Sequence, residues 1–293
     1  MDKDKILQHF GKAFFDKITA HIAKYTSLWH LSDLSQIDYY STSCLFTCIS
    51  AKHGQCILKI SPYHEQTKTE HQMLIDFDNN CGSGSGSGLC KVYEADVANG
   101  VLLIERITPG TQLRDEPNLN TRLELFCSIF RGLHKPPADK SKYPTYMHWV
   151  SRITAYMQAR TDHKALSKKM TKAEEICRNL WAKYTKEMLL HGDLHHDNIL
   201  QSNKGYRVID PKGVVGDPVF DIPRFILNEN DLDKGNNFAN IVSILAKKLD
   251  IPQHDIRQLF YIEMCMAICW NVESNSYEDG DLDEVIFAES MMN

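Results

Sequence analysis

Residues 189–200 read LLHGDLHHDNIL, and residues 208–217 read VIDPKGVVGD. A short strand-like stretch separates them. The two runs place Asp193, Asn198 five positions on, and Asp210 in a loop–strand–loop frame. Moving a phosphoryl group from a nucleotide to a hydroxyl needs such a set: one carboxylate to orient the hydroxyl, and two oxygen ligands to hold Mg²⁺ on the phosphates. Gly192 resists a regular helix. Leu189, Leu190, Leu194, Ile199 and Leu200 would anchor the loop by both shoulders. Asn198 offers a neutral carbonyl oxygen and Asp210 a charged one, which suits a cation that takes few protein oxygens. Asp210 follows the β-like run Tyr206–Ile209 and precedes Pro211, so a strand end is expected there. Singly, these residues read as a loop cap, a turn and a strand terminator. Together they read as a catalytic aspartate (Asp193) and two metal ligands (Asn198, Asp210).

His191 and His195 have the spacing that places two imidazoles on one helix face. That reading needs a helix, which Gly192 and Asn198 oppose, and a glutamate directly after the first histidine, which is missing. His191 is instead expected to be buried and bonded to the loop backbone, and His195 to lie near phosphate or substrate.

Upstream, residues 44–60 form a hairpin pattern, two β-rich runs around a turn at 51–54. Lys59 ends the second run, in ILKI, and a buried lysine needs a partner. Glu70, eleven residues on in a helical pattern over 66–77, is the candidate. Strands are expected at 90–95 and 101–107 around Asn99-Gly100. One amphipathic helix is expected over 4–25, from Phe10, Phe14, Ile18 and Ile22. Pro109-Gly110 marks the domain boundary, giving an N-terminal lobe 1–108 and a C-terminal lobe 109–293. Residues 81–90, CGSGSGSGLC, read as a mobile surface coil, because the spacing lacks a phosphate-loop pattern. Beyond 110 the chain turns mainly helical, at 119–133, 145–160, 171–188, 222–228, 237–249 and 254–273. The last 23 residues hold seven acids and no Lys or Arg. They read as a solvated tail, or as a source of charge steering for a cationic acceptor. Trp270, Asn271 and Glu273, at the end of an apolar helix, are candidate substrate contacts.

Composition is that of an ordinary globular protein: 293 residues, 43% hydrophobic and 24% charged. A net charge of -5 and the lack of a basic run give a nucleic-acid role little support. Nine scattered cysteines without a CxxC pair, and no signal-like segment, point to reduced thiols in the cytoplasm. No membrane span is expected.

Residues 189–221 resemble the catalytic segment of the aminoglycoside phosphotransferase family, which has a protein-kinase-like fold. HGDLHHDNIL with IDPKG and GDP, and LHKPP at 133–137, resemble more narrowly the branch of streptomycin 6-kinases and hydroxyurea phosphotransferases. The resemblance implies an α+β, two-lobed fold with a small β-rich N-lobe and a larger, mainly helical C-lobe. It implies Mg²⁺ and ATP or GTP as phosphoryl donor, and a small cationic or hydroxylated acceptor. Asp193 becomes the catalytic aspartate, Asn198 and Asp210 the metal ligands, Lys59 the phosphate lysine and Glu70 its ion-pair partner. The loop over the phosphates is carried by Ser41, Thr42 and Ser43. The segment Glu105, Arg106 and Ile107 becomes the hinge that meets the base, and Asp221 a buried aspartate that steadies the catalytic loop. Two departures stand out. The loop at 41–46 has no glycine, and Asp210 is followed by Pro-Lys where protein kinases have Phe-Gly. A small-molecule kinase of aminoglycoside type, with streptomycin a candidate acceptor, is the leading expectation, as a monomer or weak dimer. A metabolic kinase for another small alcohol, sugar or hydroxamate, and a catalytically silent kinase-like binding protein, are the alternatives.

Overall fold

The structure is a computed structural model that describes residues 2–38, 42–79, 88–229 and 236–292. Chain contacts divide it into two units. Met1–Thr111 with Leu200–Lys212 form the first, and Gln112–Ile199 with Gly213–Asn293 the second. The first break lies three residues beyond the expected boundary, and Leu200–Lys212 groups with the N-terminal residues.

The first unit begins with α1 (Lys3–Phe10) and α2 (Lys12–Leu28). The single helix expected over 4–25 is broken at Gly11, whose φ of 80° and ψ of 170° only glycine adopts readily. The strands β1 (Leu31–Gln36), β2 (Cys44–Ser50) and β3 (Gly54–Ile60) follow, then α3 (His64–Asn79), β4 (Val92–Asp96), β5 (Val101–Glu105) and β6 (Pro109–Gln112). The first five strands make one sheet in the order β1-β2-β3-β5-β4. The hairpin expected at 44–60 forms in full register, from Cys44 opposite Ile60 to Ser50 opposite Gly54.

Side-chain alternation along β3 decides where its lysine goes. Cys56, Leu58 and Ile60 join Phe14, Ile18 and Tyr25 of α2 in one core cluster. Lys59 lies between two of them, so it faces the opposite side of the sheet. That face meets α3, which buries Met73, Leu74 and Phe77 and carries Glu70.

The second half of the chain runs through α4 (Leu119–Leu133), α5 (Tyr146–Gln158), α6 (Lys164–Lys183), β7 (Met188–Leu190), β8 (Ile199–Ser202), β9 (Gly205–Val208), β10 (Val214–Gly216), α7 (Ile222–Leu227), α8 (Asn236–Leu249), α9 (Gln253–Glu273) and α10 (Asp281–Ser290). In the first unit, β6, β8 and β9 form a three-stranded sheet with β8 central. In the second, α9 is apolar nearly all round and packs against α5, α6, α7, α8 and α10. Helix α6 starts seven residues before the expected 171 and ends at 183, because Leu166 and Met170 extend its buried stripe. The acidic C-terminal run is not all tail: Asp281, Asp283 and Glu284 open α10, where acids favour the helix N-terminus. Among the described residues no helix is long and apolar enough to cross a membrane.

Candidate active site

The strands β7 and β10 pair antiparallel, with Leu190 opposite Val214. They bracket the segment 191–213, which holds most of the predicted chemistry. Its first part belongs to the second unit and its last part, Leu200–Lys212, to the first.

In the first unit, Lys59 is 6% exposed and Glu70 5%. Lys59 Nζ donates to Glu70 Oε1 at 2.8 Å and to Asp210 Oδ1 at 2.5 Å. The second oxygen of Asp210 accepts from Lys212 Nζ at 2.7 Å. Two ammonium groups and two carboxylates are thus gathered where β3 faces α3. Burial works against charge on Lys59, but Asp210 and Glu70 outweigh it and raise its pKa. Burial likewise opposes ionisation of Asp210, yet Lys59 and Lys212 hold its carboxyl well below the usual range. Burial pushes the Glu70 carboxyl up, against the pull of Lys59. Asp210 has φ of 58°, a left-handed conformation that aspartate tolerates better than most residues. The expected pairing of Lys59 with Glu70 is present, and the structure brings Asp210 to the same lysine.

Of the residues expected to cover the phosphates, Ser41 lies outside the described residues. Thr42 precedes β2 and its carbonyl accepts from Ser61 Oγ at 2.7 Å, while Ser43 is buried. The Gly/Ser coil expected at 81–90 lies outside them as far as Ser87. Glu105, the last residue of β5, accepts from the Lys91 amide at 3.0 Å and from Arg207 at 2.9 Å. Arg106 and the buried Ile107 follow it before β6.

In the second unit, the loop 191–198 is irregular up to a single 3-10 turn at His196–Asn198, so His191 and His195 do not share a helix face. Asp221 anchors the loop. Its carboxylate accepts from the His191 and Gly192 amides, both at 2.7 Å, and lies 2.9 Å from His134 Nε2. Burial raises its pKa, but His134 and the loop overcome this and keep it ionised. His191 is fully buried and its Nδ1 accepts from the Asp193 amide at 3.1 Å. Gly192 has φ of 77°, and a Cβ there would sit 2.7 Å from the Trp149 ring. Hence the residue before Asp193 must be glycine.

Asn198 Nδ2 donates to the Asp193 carbonyl at 2.9 Å. Asn198, by its amide oxygen, and Asp210, by its ionised carboxylate, each offer a hard oxygen donor of the kind Mg²⁺ takes. His195 Nε2 lies 3.7 Å from Asp193 Oδ1, and burial lowers its pKa in spite of Asp193 and Asp197.

Sequence reasoning missed Arg224, the one basic residue in the run FDIPRFIL. Its Nε lies 3.4 Å from Asp193 Oδ1 and its Nη2 2.5 Å from Glu263 Oε1, and Tyr146 donates to Glu263 at 2.8 Å. Trp270, a candidate substrate contact, carries the Arg224 guanidinium 5.5 Å from its ring centroid. Asn271 donates to Asp281 at 3.1 Å, and Glu273 takes a bidentate pair from Arg152 at 2.5 and 2.9 Å. Only Trp270 of these three is thus linked to Asp193, through Arg224. Glu289 is paired with Lys169 and Lys172.

The fold is the protein-kinase-like one. Structures sharing it include a choline kinase from Streptococcus pneumoniae, with TM-score 0.68, 14% identity, and coverage of 94% of this chain and 99% of that one. They also include the aminoglycoside phosphotransferase APH(4)-Ia, crystallised in a ternary complex with ADP and hygromycin B. There the TM-score is 0.63 and the identity 15%, covering 94% of this chain and 95% of that one. Residues 28–275 match the model of the aminoglycoside/hydroxyurea antibiotic resistance kinase family, and the chain belongs to that family. It is 28% identical over 174 residues to the streptomycin 3''-kinase of Klebsiella pneumoniae, a match covering 57% of this chain and 61% of that kinase. It is 22% identical over 220 residues to the streptomycin 6-kinase of Streptomyces griseus, covering 72% of this chain and 67% of the relative. Against the hydroxyurea phosphotransferase of Kitasatospora aureofaciens the identity is also 22%, with 74% and 63% covered. The chain spans under two thirds of the length of two of these three relatives.

Proposed function

We propose that the chain is a small-molecule kinase, which moves the γ-phosphoryl group of ATP or GTP to a hydroxyl of an aminoglycoside-type acceptor, streptomycin among them. Family membership supports the reaction class. The observation that carries it is the buried lysine shared by Glu70 and Asp210, at 2.8 and 2.5 Å. A catalytically silent binding protein has no need of that arrangement together with an anchored Asp193 loop.

In this reading Lys59, aimed by Glu70, binds the α- and β-phosphates. Thr42, Ser43 and Ser41 cover them, and the backbone of Glu105–Ile107 meets the base. Asp210 and Asn198 would hold Mg²⁺, which when bound neutralises charge on the phosphates. Asp193 accepts the hydrogen bond of the acceptor hydroxyl, turns its oxygen toward phosphorus and receives its proton. With a loose transition state, the contribution of Asp193 is chiefly alignment. The cytoplasm, which supplies the nucleotide, is the proposed place of action.

A second reading, a neutral hydroxylated acceptor, draws support from the acids of the C-terminal region. Glu273 and Glu289 are already paired with cationic side chains, which weakens their pull on a cationic acceptor. One experiment tests both. The protein is incubated with Mg²⁺, ATP or GTP and a panel of aminoglycosides, hydroxyurea and sugars, and products are weighed. A phosphorylated aminoglycoside is expected. Asp193→Ala should lower its kcat by roughly 10²–10⁴, the usual span for a positioned acid–base group, with nucleotide affinity little changed. A phosphorylated sugar or hydroxyurea alone selects the second reading. No product and no nucleotide binding overturns both.

A further inference from the structure

The Pro-Lys that follows Asp210 sets up a competition for its carboxylate. Both of its oxygens are engaged, Oδ1 by Lys59 at 2.5 Å and Oδ2 by Lys212 at 2.7 Å. A cation bound by Asp210 meets one of the two ammonium groups at the same oxygen, and their like charges oppose each other there. The two lysines are not equally able to leave. The side chain of Lys59 is 8% exposed and is also tied to Glu70, whereas that of Lys212 is 30% exposed. Lys212 is two residues from Asp210 across Pro211, whose ring fixes φ, and Gly213 follows with φ of 69°. The backbone thus sets the ammonium against Oδ2, and the long side chain lets it swing off.

We propose that Lys212 is a built-in competitor for the divalent cation at Asp210, and that it leaves Oδ2 when nucleotide phosphates take over its ammonium. Lys212 then does two things. It keeps Asp210 from collecting a cation when no nucleotide is present, and it adds a positive charge beside the phosphates once nucleotide arrives. Cation and nucleotide binding become mutually favourable through one side chain, and such coupling is reciprocal. The inference rests on the kinase reading above, through the assignment of Asp210 as a metal ligand.

The test needs no acceptor. Binding of Mn²⁺ to the full chain is followed by its electron paramagnetic resonance signal, with and without a non-hydrolysable ATP analogue. Wild type is expected to bind Mn²⁺ weakly alone and more tightly with the analogue. Lys212→Met should bind Mn²⁺ alone roughly 2- to 5-fold more tightly, the size expected on losing one partly exposed ion pair. It should also bind the analogue more weakly, so the mutual enhancement shrinks. Lys212→Gln should behave like Lys212→Met, and Lys212→Arg like wild type. Equal Mn²⁺ affinity in wild type and Lys212→Met overturns the proposal. Asp210→Asn separates the two levels of argument. If it leaves Mn²⁺ binding in the presence of the analogue unchanged, the metal role of Asp210 fails. If it abolishes that binding while Lys212→Met matches wild type, only the competitor role fails.

Discussion

Each buried charge around the Asp193 loop has a counter-charge chosen by position in the fold. Asp221 takes two loop amides and His134, and Arg224 joins Asp193 to Glu263. Behind them Glu229 takes Arg122, at 2.6 and 3.1 Å, and lies 3.0 Å from His196. Burial raises the pKa of Glu229, but His196 and Arg122 prevail and hold it at about 2 against an ordinary 4.5. Its pKa is lower in the folded state, so it stabilises the fold fully above the unfolded value. That contribution fades as pH falls from about 4.5 toward 2. Glu229→Gln leaves Arg122 buried without its counter-ion and should cost about 3 kcal/mol at neutral pH. Urea midpoints compared at pH 7 and pH 3 check this. The gap between variant and wild type should be large at pH 7 and smaller at pH 3, and an equal gap at both refutes the assignment.

At the scale of elements, the loop bracketed by β7 and β10 works because its turn is left-handed. Gly192 has φ of 77°, with the Trp149 ring 2.7 Å and Val214 3.2 Å from where a Cβ would lie. Gly192→Ala therefore combines backbone strain of about 1–3 kcal/mol with a clash against aromatic carbon. The neighbouring Asp193 must shift, and a displacement near 1 Å lowers turnover by about 10²-fold. Steady-state kinetics with the acceptor found in the panel should show kcat falling while nucleotide affinity holds. An unchanged kcat would mean that the loop tolerates the shift. The sequence made this loop legible because its chemistry is dense in a few positions. It also made the Cys44–Ile60 hairpin legible, because β-rich runs flank a clear turn. It concealed β1, since LSDLSQ buries only Leu31 and carries polar residues elsewhere, as one edge of a sheet permits. It concealed α10, because an acidic run reads as tail until Val285 and Ala288 are seen to be buried. Arg224 and the second lysine on Asp210 were hidden for another reason. Their partners lie on other elements, or act only when the backbone brings them round, and no local spacing records that.

At the scale of the molecule, the chain order and the packing order differ. The first unit is completed by Leu200–Lys212, which returns to it after the chain has passed through α4–α6 and β7. This segment supplies β9 and most of β8, and Val208 exchanges backbone hydrogen bonds with Gly88 and Cys90 at 2.7 and 2.9 Å. It also brings Asp210 to Lys59. The five-stranded sheet and its α2 core lie within residues 1–111. Those residues by themselves lack the strands beside β6 and the Val208 partner of Gly88 and Cys90, next to Leu89 and Cys90, which are both buried in the whole chain. Uncovered apolar surface and unpaired backbone groups lower stability and cooperativity together. Residues 1–111 should therefore unfold in urea at a lower midpoint, and over a broader range, than the same residues joined by a short flexible linker to 199–212. Far-UV circular dichroism of the two proteins under identical conditions measures the difference. Equal midpoints and equal sharpness would show that the returning segment adds chemistry to the first unit without adding stability, and the packing argument would fail.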